Sequence, residues 1–381
     1  MMHQPGDYFI SLGAGENQLP LIEAAKKLGF RIIGVDRNID AIGFPLCDIR
    51  IEESIHNYRR IFLKINLGTL DGNIVGGYCA SYGKAILSWA YLAERLNLPF
   101  ISRTLAEKLL DKLYIRRELQ KLRDEFFAQP GFLSLENHIY RDDLEKLGYP
   151  VIVKTRGGYA KKNIYQLNRY ADARSFLTRR NLRELGIEQG ELLLEKKIPG
   201  DEIIVTGFVR DFRFYLVSIT DKVAMALPPF LDLLHEFPSR YEGEKEKLEK
   251  IHQKIVDILE IPLSPLVSEW IVHEGKFYLI EMSPQIPGEF LPTFLIPEGL
   301  HYDYFENLVR LVTGKDIDLP RPSSGRRIYV RYFDRPPSQE YWQKVQSAAV
   351  FTKILNEPRK EVADNTARYA VAGFRDVLPQ V

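Results

Sequence analysis

Two acids late in the chain could do chemistry together. Glu269 and Glu281 lie in runs that read as the two arms of a β-hairpin, Leu266-Val-Ser-Glu-Trp-Ile-Val-His273 and Phe277-Tyr-Leu-Ile-Glu-Met-Ser283, joined by Glu-Gly-Lys. With a three-residue loop over 274–276, in which Gly275 supplies the positive φ such loops favour, Glu269 falls directly opposite Glu281 and both carboxylates share one face. Like charges opposed in a sheet repel, and in a low-dielectric cleft they need a cation between them or a proton on one of them. A divalent ion resolves that conflict, and an oxygen-only ligand set favours Mg²⁺. A two-residue loop would instead turn the carboxylates to opposite faces and leave two ordinary acids.

A second group is cationic. Lys154 ends the β-rich run Tyr149-Pro-Val-Ile-Val-Lys154, just before Thr-Arg-Gly157-Gly158-Tyr-Ala-Lys161-Lys162. A cation at a strand end beside a flexible turn with open backbone N–H groups suits a phosphate. Taken alone, Gly-Gly before two lysines is a plain hairpin turn, and the Walker spacing GxxxxGK[ST] is absent. Further on, Glu195-Lys196-Lys197-Ile198-Pro-Gly-Asp-Glu202 leaves one strand and enters the next. Such a connection can offer backbone groups to an adenine edge, with an acid seven residues on for a ribose hydroxyl. His235, in His-Glu-Phe-Pro238, reads more simply as structural than as a ligand contact, and no nucleophile elbow points to a hydrolase.

The elements that must position these residues follow from periodicity. Residues 8–12 are an apolar run ending in Gly13-Ala-Gly15, a helical pattern over 19–28 closes at Gly29, and Arg31-Ile-Ile-Gly-Val-Asp36 is a second buried strand. This is a βαβ opening of the doubly wound type, continued by a strand over 72–77, a helix over 84–96 and a strand over 99–101. Residues 104–123 predict one connecting helix, capped by Thr104 with Glu107 three positions later. A hairpin over 149–167, a helix over 170–185, strands over 191–195, 201–209, 212–219 and 222–227, a charged helix over 241–260 and a last helix over 301–313 come next. Pro320-Arg-Pro-Ser-Ser-Gly then separates a tail. The expected α/β architecture is an N-terminal doubly wound lobe over 1–105, a small lobe with its connector over 106–190, a larger lobe over 191–320, and a small C-terminal appendage over 321–381.

Composition narrows the function classes. A chain of 381 residues supports several subdomains. With 52 Lys plus Arg against 51 Asp plus Glu, it has no global field to gather nucleic acid or an anionic membrane. Cys47 and Cys79 have no partner spacing for zinc and read as buried free thiols. No run of about 18 apolar residues and no basic-then-apolar leader is present, so a soluble, cytoplasmic protein is expected.

In order and spacing these pieces resemble the ATP-grasp superfamily, in particular its carboxylate–amine ligase branch, over nearly the entire chain. The resemblance runs through Gly13-Ala-Gly-Glu-Asn-Gln-Leu-Pro20, Val35-Asp-Arg-Asn38, Asp111-Lys112 with Arg116, the run ending at Lys154, Glu195 to Glu202, and Glu269 with Glu281-Met-Ser-Pro284. It implies a pre-ATP-grasp lobe followed by two α+β lobes that clasp ATP. Lys112 and Lys154 would hold the phosphates, and Gly157, Gly158, Lys161 and Lys162 would belong to the loop closing over them. Glu195 would take the adenine amino group, Lys196 and Ile198 would contribute backbone, and Glu202 would bind the ribose. Glu269 and Glu281 would ligate Mg²⁺, or Mn²⁺ in its place. The implied reaction joins a small-molecule carboxylate to an amine through an acyl phosphate, releasing ADP and phosphate; a homodimer is compatible with it.

Three features depart from that pattern. Ser283 stands where an Asn would be the third metal ligand, and Gln285 occupies the catalytic position of an Arg without being able to neutralise an anionic intermediate. Tyr159 and Ala160 replace small residues in the phosphate loop. A compensating cation would have to come from Lys162, Arg210, Arg213 or Arg240. These departures leave a non-catalytic or regulatory nucleotide-binding homologue as the second reading. A third, an NAD-dependent oxidoreductase, rests on Gly13-x-Gly15-x-x-Gln18 and Asp36 but lacks the third glycine.

Overall fold

The computed structural model describes residues 6–135, 141–158, 163–228, 230–288, 290–321, 327–333, 351–354 and 369–374. The N-terminal lobe contains β1 (Tyr8–Leu12), α1 (Leu19–Lys27), β2 (Arg31–Asp36), β3 (Ile49–Glu52), α2 (Tyr58–Leu67), β4 (Ile74–Tyr78) and α3 (Ile86–Arg95). Its strands are parallel in the order β3-β2-β1-β4. Cover on both faces explains why β1 is buried along its whole length. Gly13, at φ +102°, makes the turn after β1. Gln18, in the place of the third glycine, folds back: its amide donates to the Ala80 carbonyl at 2.6 Å and accepts from Gly15 N at 3.1 Å. The Asp36 carboxylate accepts from Ala14 N and Asn38 N, both at 2.9 Å, so it pins this turn. The dinucleotide reading therefore loses both its glycine and its acid.

The connector is two helices rather than one, α4 (Arg103–Leu109) and α5 (Lys112–Glu118). Ser102, not Thr104, caps the first, and Asp111 breaks the pattern by capping the second. The expected strand over 99–101 is irregular chain. The small lobe follows, with the two-residue β5 (Phe127–Ala128) as a spur onto the large sheet, then β6 (Phe132–Ser134), α6 (Arg141–Leu147), β7 (Val151–Thr155), β8 (Tyr165–Leu167), α7 (Tyr170–Phe176), α8 (Arg179–Glu184) and β9 (Leu192–Lys196). Its sheet runs β6-β9-β7-β8. The helix expected over 170–185 is interrupted where Thr178 caps α8.

The large lobe comprises β10 (Asp201–Arg210), β11 (Arg213–Ala224), β12 (Asp232–Phe237), α9 (Lys245–Leu259), β13 (Leu263–His273), β14 (Lys276–Ser283), α10 (Ile296–Leu300) and α11 (Tyr304–Val312). The two short strands expected over 212–227 are the single strand β11, and β12 had no expected counterpart. From the tail come β15 (Ile328–Phe333), β16 (Phe351–Ile354) and β17 (Tyr369–Phe374), which join the same sheet in the order β16-β17-β15-β12-β11-β10-β13-β14-β5. The described part of the tail is thus an edge of the large sheet and not a separate appendage. Ile328, Val330 and Tyr332 are buried in it.

One face of that sheet is closed by α9 through Leu248, Ile251 and Ile255. The other shares a continuous core with the N-terminal lobe through α11 and residues 291–300. A side chain at Gly76 of β4 would strike Thr313 and the Val312 carbonyl just past α11, so glycine there permits the close approach. Cys47 and Cys79 are buried free thiols, pushed up by burial to about 11 and about 12. Among the described residues no helix is long and apolar enough to cross a membrane.

Candidate active site

The β13–β14 hairpin closes through two residues, Glu274 and Gly275, both at positive φ (48° and 73°), with His273 paired to Lys276. This is the primed turn that matches strand twist. It is one residue shorter than expected, which by itself would send Glu281 to the far face. A bulge restores the pairing: Trp270 opposes Leu279 and Glu269 opposes Glu281, leaving Ile280 as the extra residue. The carbonyl of Ile280 then accepts from two cations of other elements, Arg116 Nη2 at 2.8 Å and Lys154 Nζ at 3.2 Å.

Those two cations converge on one acid. Glu195 of β9 accepts from Arg116 Nε and pairs with Lys154 Nζ, each at 2.7 Å, and all three side chains are buried. Burial works against the Glu195 charge, but Arg116 and Lys154 override it and hold the carboxyl below its usual range. Burial draws the Lys154 ammonium below its ordinary value, with Glu195 pulling the other way. Both oxygens of Glu195 are thus engaged inside the protein. Glu195, expected at an adenine amino group, is engaged in this structure by Arg116 and Lys154. Lys196 Nζ likewise reaches back to the Tyr149 carbonyl at 2.8 Å, and Ile198 is half-buried in the connection to β10.

Lys112 joins three pieces. Its Nζ lies 3.1 Å from Glu281 Oε1 and donates to the Gly158 carbonyl, and its backbone N–H donates to the Arg156 carbonyl at 3.1 Å. Arg156 in turn pairs with Asp111. The start of α5, the turn at Gly157 and Gly158, and β14 are tied together in this way. A side chain at Gly158 would collide with the Thr155 hydroxyl, whereas Gly157 faces open space. Lys112, Gly157, Gly158, Glu281, Ser283 and Gln285 line one cleft of about 620 Å³. Lys161 and Lys162 lie outside the described residues.

Sequence reasoning missed Lys222. This β11 side chain is buried, with Nζ 2.5 Å from Glu269 Oε2, 3.3 Å from Glu202 Oε2 and 3.6 Å from Asp232 Oδ1. Burial disfavours its charge, but Glu269, Asp232 and Glu202 together raise its pKa well above the ordinary value. The signal was the alternation Ser218-Ile-Thr220-Asp-Lys222, a polar stripe at period two. Dividing β11 in two concealed it. Glu202, expected at a ribose, sits directly across the ladder from Lys222.

The other expected cations point elsewhere. Arg213 is exposed at the far end of β11 over the Tyr215 ring. Arg210, its partner across the turn, pairs with Asp316. Leu263 lies opposite Arg210, six residues along β13 from Glu269, or roughly 20 Å at strand rise. Arg240 is held by Asp221 and Asp201. Gln285 is engaged on the N-terminal lobe. Its buried amide accepts from Gly83 N at 3.3 Å and donates to the Gly83 carbonyl at 2.8 Å and the Ser81 carbonyl at 3.4 Å. Clamping a loop of the N-terminal lobe in both directions needs a donor and an acceptor together, which Gln has and Arg lacks.

The acids suit a hard divalent cation. Glu269 and Glu281 are opposed, their side chains 38% and 39% exposed, and each is matched by one lysine. Ser283 follows on the same face, across from Val267. Among the described residues no cluster of three or more His, Cys, Asp or Glu could hold a metal, so any ion here would draw remaining ligands from phosphate and water. Deeper along the same face, the buried hydroxyls of Thr206, Ser218 and Thr220 find no hydrogen-bond partner among the described residues. His235 packs behind, with Nδ1 3.2 Å from the Tyr332 hydroxyl and Nε2 3.5 Å from Asp232 Oδ2.

The sequence matches no family model and no curated protein. Solved structures do match. An N5-carboxyaminoimidazole synthetase from Staphylococcus aureus, complexed with ADP, superposes with a TM-score of 0.75 at 17% identity, over 97% of this chain and 94% of that one. The chain has the ATP-grasp fold. An L-amino acid ligase from Bacillus licheniformis gives 0.73 at 17% identity over 98% and 94%. The biotin carboxylase domain of a Hydrogenobacter thermophilus 2-oxoglutarate carboxylase, in complex with MgADP, ADP and bicarbonate, gives 0.73 at 15% over 98% and 87%. At these identities the likeness is one of fold, and it bears out the lobed α/β architecture expected from the resemblance.

Proposed function

We propose that this protein is an ATP-dependent ligase that activates a small-molecule carboxylate and joins it to an amine, releasing ADP and phosphate. The observation that carries the reading is the opposed pair Glu269 and Glu281, with Glu281 on the wall of the cleft and Lys112 bridging it to the glycine turn. The adenine would rest against the backbone of Lys196 to Ile198, and Glu202 would turn to the ribose. Lys112 and the turn at Gly157 and Gly158 would face the phosphates, and Lys154, seated on Glu195, would act behind them. Glu269 and Glu281, with Ser283 as a third oxygen, would hold Mg²⁺ or Mn²⁺, which when bound supplies positive charge against the phosphates. The neighbours crystallised with ADP and MgADP support the nucleotide part of this reading.

A carboxylate oxygen bonds to the γ-phosphorus while the bond from that phosphorus to the β,γ-bridging oxygen breaks, and ADP leaves with the electron pair. The amine nitrogen then attacks the acyl carbon, the carbon–oxygen bond to phosphate breaks, and the surplus ammonium proton passes to the departing phosphate or to water. Most of the work is positioning and charge. Screening small carboxylates and amines in pairs for phosphate release from Mg-ATP tests the proposal. Sustained turnover should need both the carboxylate and the amine; no release from any pair, with Mg-ATP still raising the melting temperature, would favour a regulatory nucleotide-binding role. The engagement of Gln285 by the N-terminal lobe is what keeps that second reading in view.

A further inference from the structure

We propose that Lys222 is the residue that meets the transferring γ-phosphoryl group, filling the gap left by Gln285; this rests on the reading of the cleft as an ATP site. Four lines of placement support it. Lys154 and Arg116 are turned inward onto Glu195, and Arg210, Arg213 and Arg240 are engaged away from the acids. Lys222 instead projects from the middle of the sheet, and its ammonium touches Glu269, so it borders whatever Glu269 holds. A metal held there would supply positive charge to the terminal phosphates, and Lys222 would then stand beside the γ-phosphoryl.

The three acids around Lys222 are also unequal. The side chains of Glu269 and Glu202 are 38% and 33% exposed, while Asp232 is 13% exposed and backed by His235, which is itself backed by Tyr332. When Glu269 turns to a metal and Glu202 to a ribose, Lys222 keeps Asp232 and gains free donors. One lysine among three acids is then an arrangement for handing over contacts. Finally, Thr220 and Ser218 continue the stripe inward, with Thr206 opposite Ser218, as buried hydroxyls without a partner among the described residues. Buried polar groups thus continue the stripe beyond the acids.

The test is calorimetric titration of the full chain with Mg-ATP and Mg-ADP, for wild type, Lys222→Met and Lys222→Arg, each checked for folding by circular dichroism. Loss of a charge-assisted contact made only by the γ-phosphoryl should weaken Mg-ATP by about tenfold or more in Lys222→Met. Mg-ADP should stay within about twofold, and Lys222→Arg should recover most of the difference. Equal loss for both nucleotides would make Lys222 a structural counter-ion and overturn the proposal, as would no loss for either. Should Lys222→Met not fold, Lys222→Gln gives the same comparison while retaining a donor. A wild-type protein that binds neither nucleotide would instead remove the ATP reading itself.

Discussion

Glu195, Arg116 and Lys154 share one buried site with the Ile280 carbonyl, and removing one member of such a group leaves the others charged and unpaired. Glu195→Gln should therefore lower the unfolding free energy by about 3 kcal/mol, read from the urea midpoint. Lys196→Ala, which frees only a half-exposed contact to Tyr149, should cost no more than about 1 kcal/mol. His252 offers a pH-dependent counterpart. It is wholly buried between Phe214 and Trp270, bonded to the Leu248 carbonyl and the Ser268 hydroxyl, and burial lowers its pKa to about 4. Between about pH 6.5 and 4 the unfolded chain holds a proton that the folded one refuses, so stability falls as the pH drops through that window and levels off below it. The loss is on the order of 3 kcal/mol, and His252→Gln should flatten the slope of unfolding free energy against pH. At this scale the sequence disclosed which residues were chemically suited, since acids, lysines and glycines stand at telling places. It did not disclose which partner each had, because Glu195 on β9 and Glu202 on β10 enter different sheets, and the partners there come from distant parts of the chain.

The hairpin of β13 and β14 illustrates the same limit for elements. Its turn was visible in Glu274-Gly275, and the facing of Glu269 and Glu281 was reached from an assumed loop of three residues. The loop has two, and the bulge at Ile280 supplies the missing step. Bulges carry no strong signature of residue type, so a one-residue shift of this kind is not legible in the sequence. Deleting Ile280 should keep Glu269 opposite Glu281 yet remove the carbonyl that Arg116 and Lys154 share. The expected outcome is a stability loss of about 2–4 kcal/mol by chemical denaturation, with binding of Mg-ATP weakened through a displaced Lys154. Long amphipathic or fully apolar elements such as α9, β1 and β2 were readable from periodicity. The split connector was not, because the capping carboxylate of Asp111 outweighs a helical pattern that continues on either side.

Across the whole molecule, the lobes are joined more tightly than their sequence boundaries suggest. The core of the N-terminal sheet continues through α11 into one face of the large sheet, and Gln285 clamps the loop at Gly83. The strand β15, in the segment that reads from sequence as a tail, buries Ile328, Val330 and Tyr332 against that core and backs His235. Long-range pairing of this sort leaves no local mark, which is why the tail's role had to be seen in three dimensions. A chain ending at residue 320 should therefore lose several kcal/mol, at roughly 1.5–3 kcal/mol for each large apolar side chain uncovered, and recover poorly in soluble form. The central claim concerns the meeting of the lobes on one metal–nucleotide complex. Its most direct measurement is the anomalous scattering of Mn²⁺ in crystals grown with Mn-ADP. A peak between the carboxylates of Glu269 and Glu281, with the phosphates beside Lys112, is the expected result; a peak elsewhere, or those two acids still paired with Lys222 and Lys112 and carrying no metal with nucleotide bound, would contradict it.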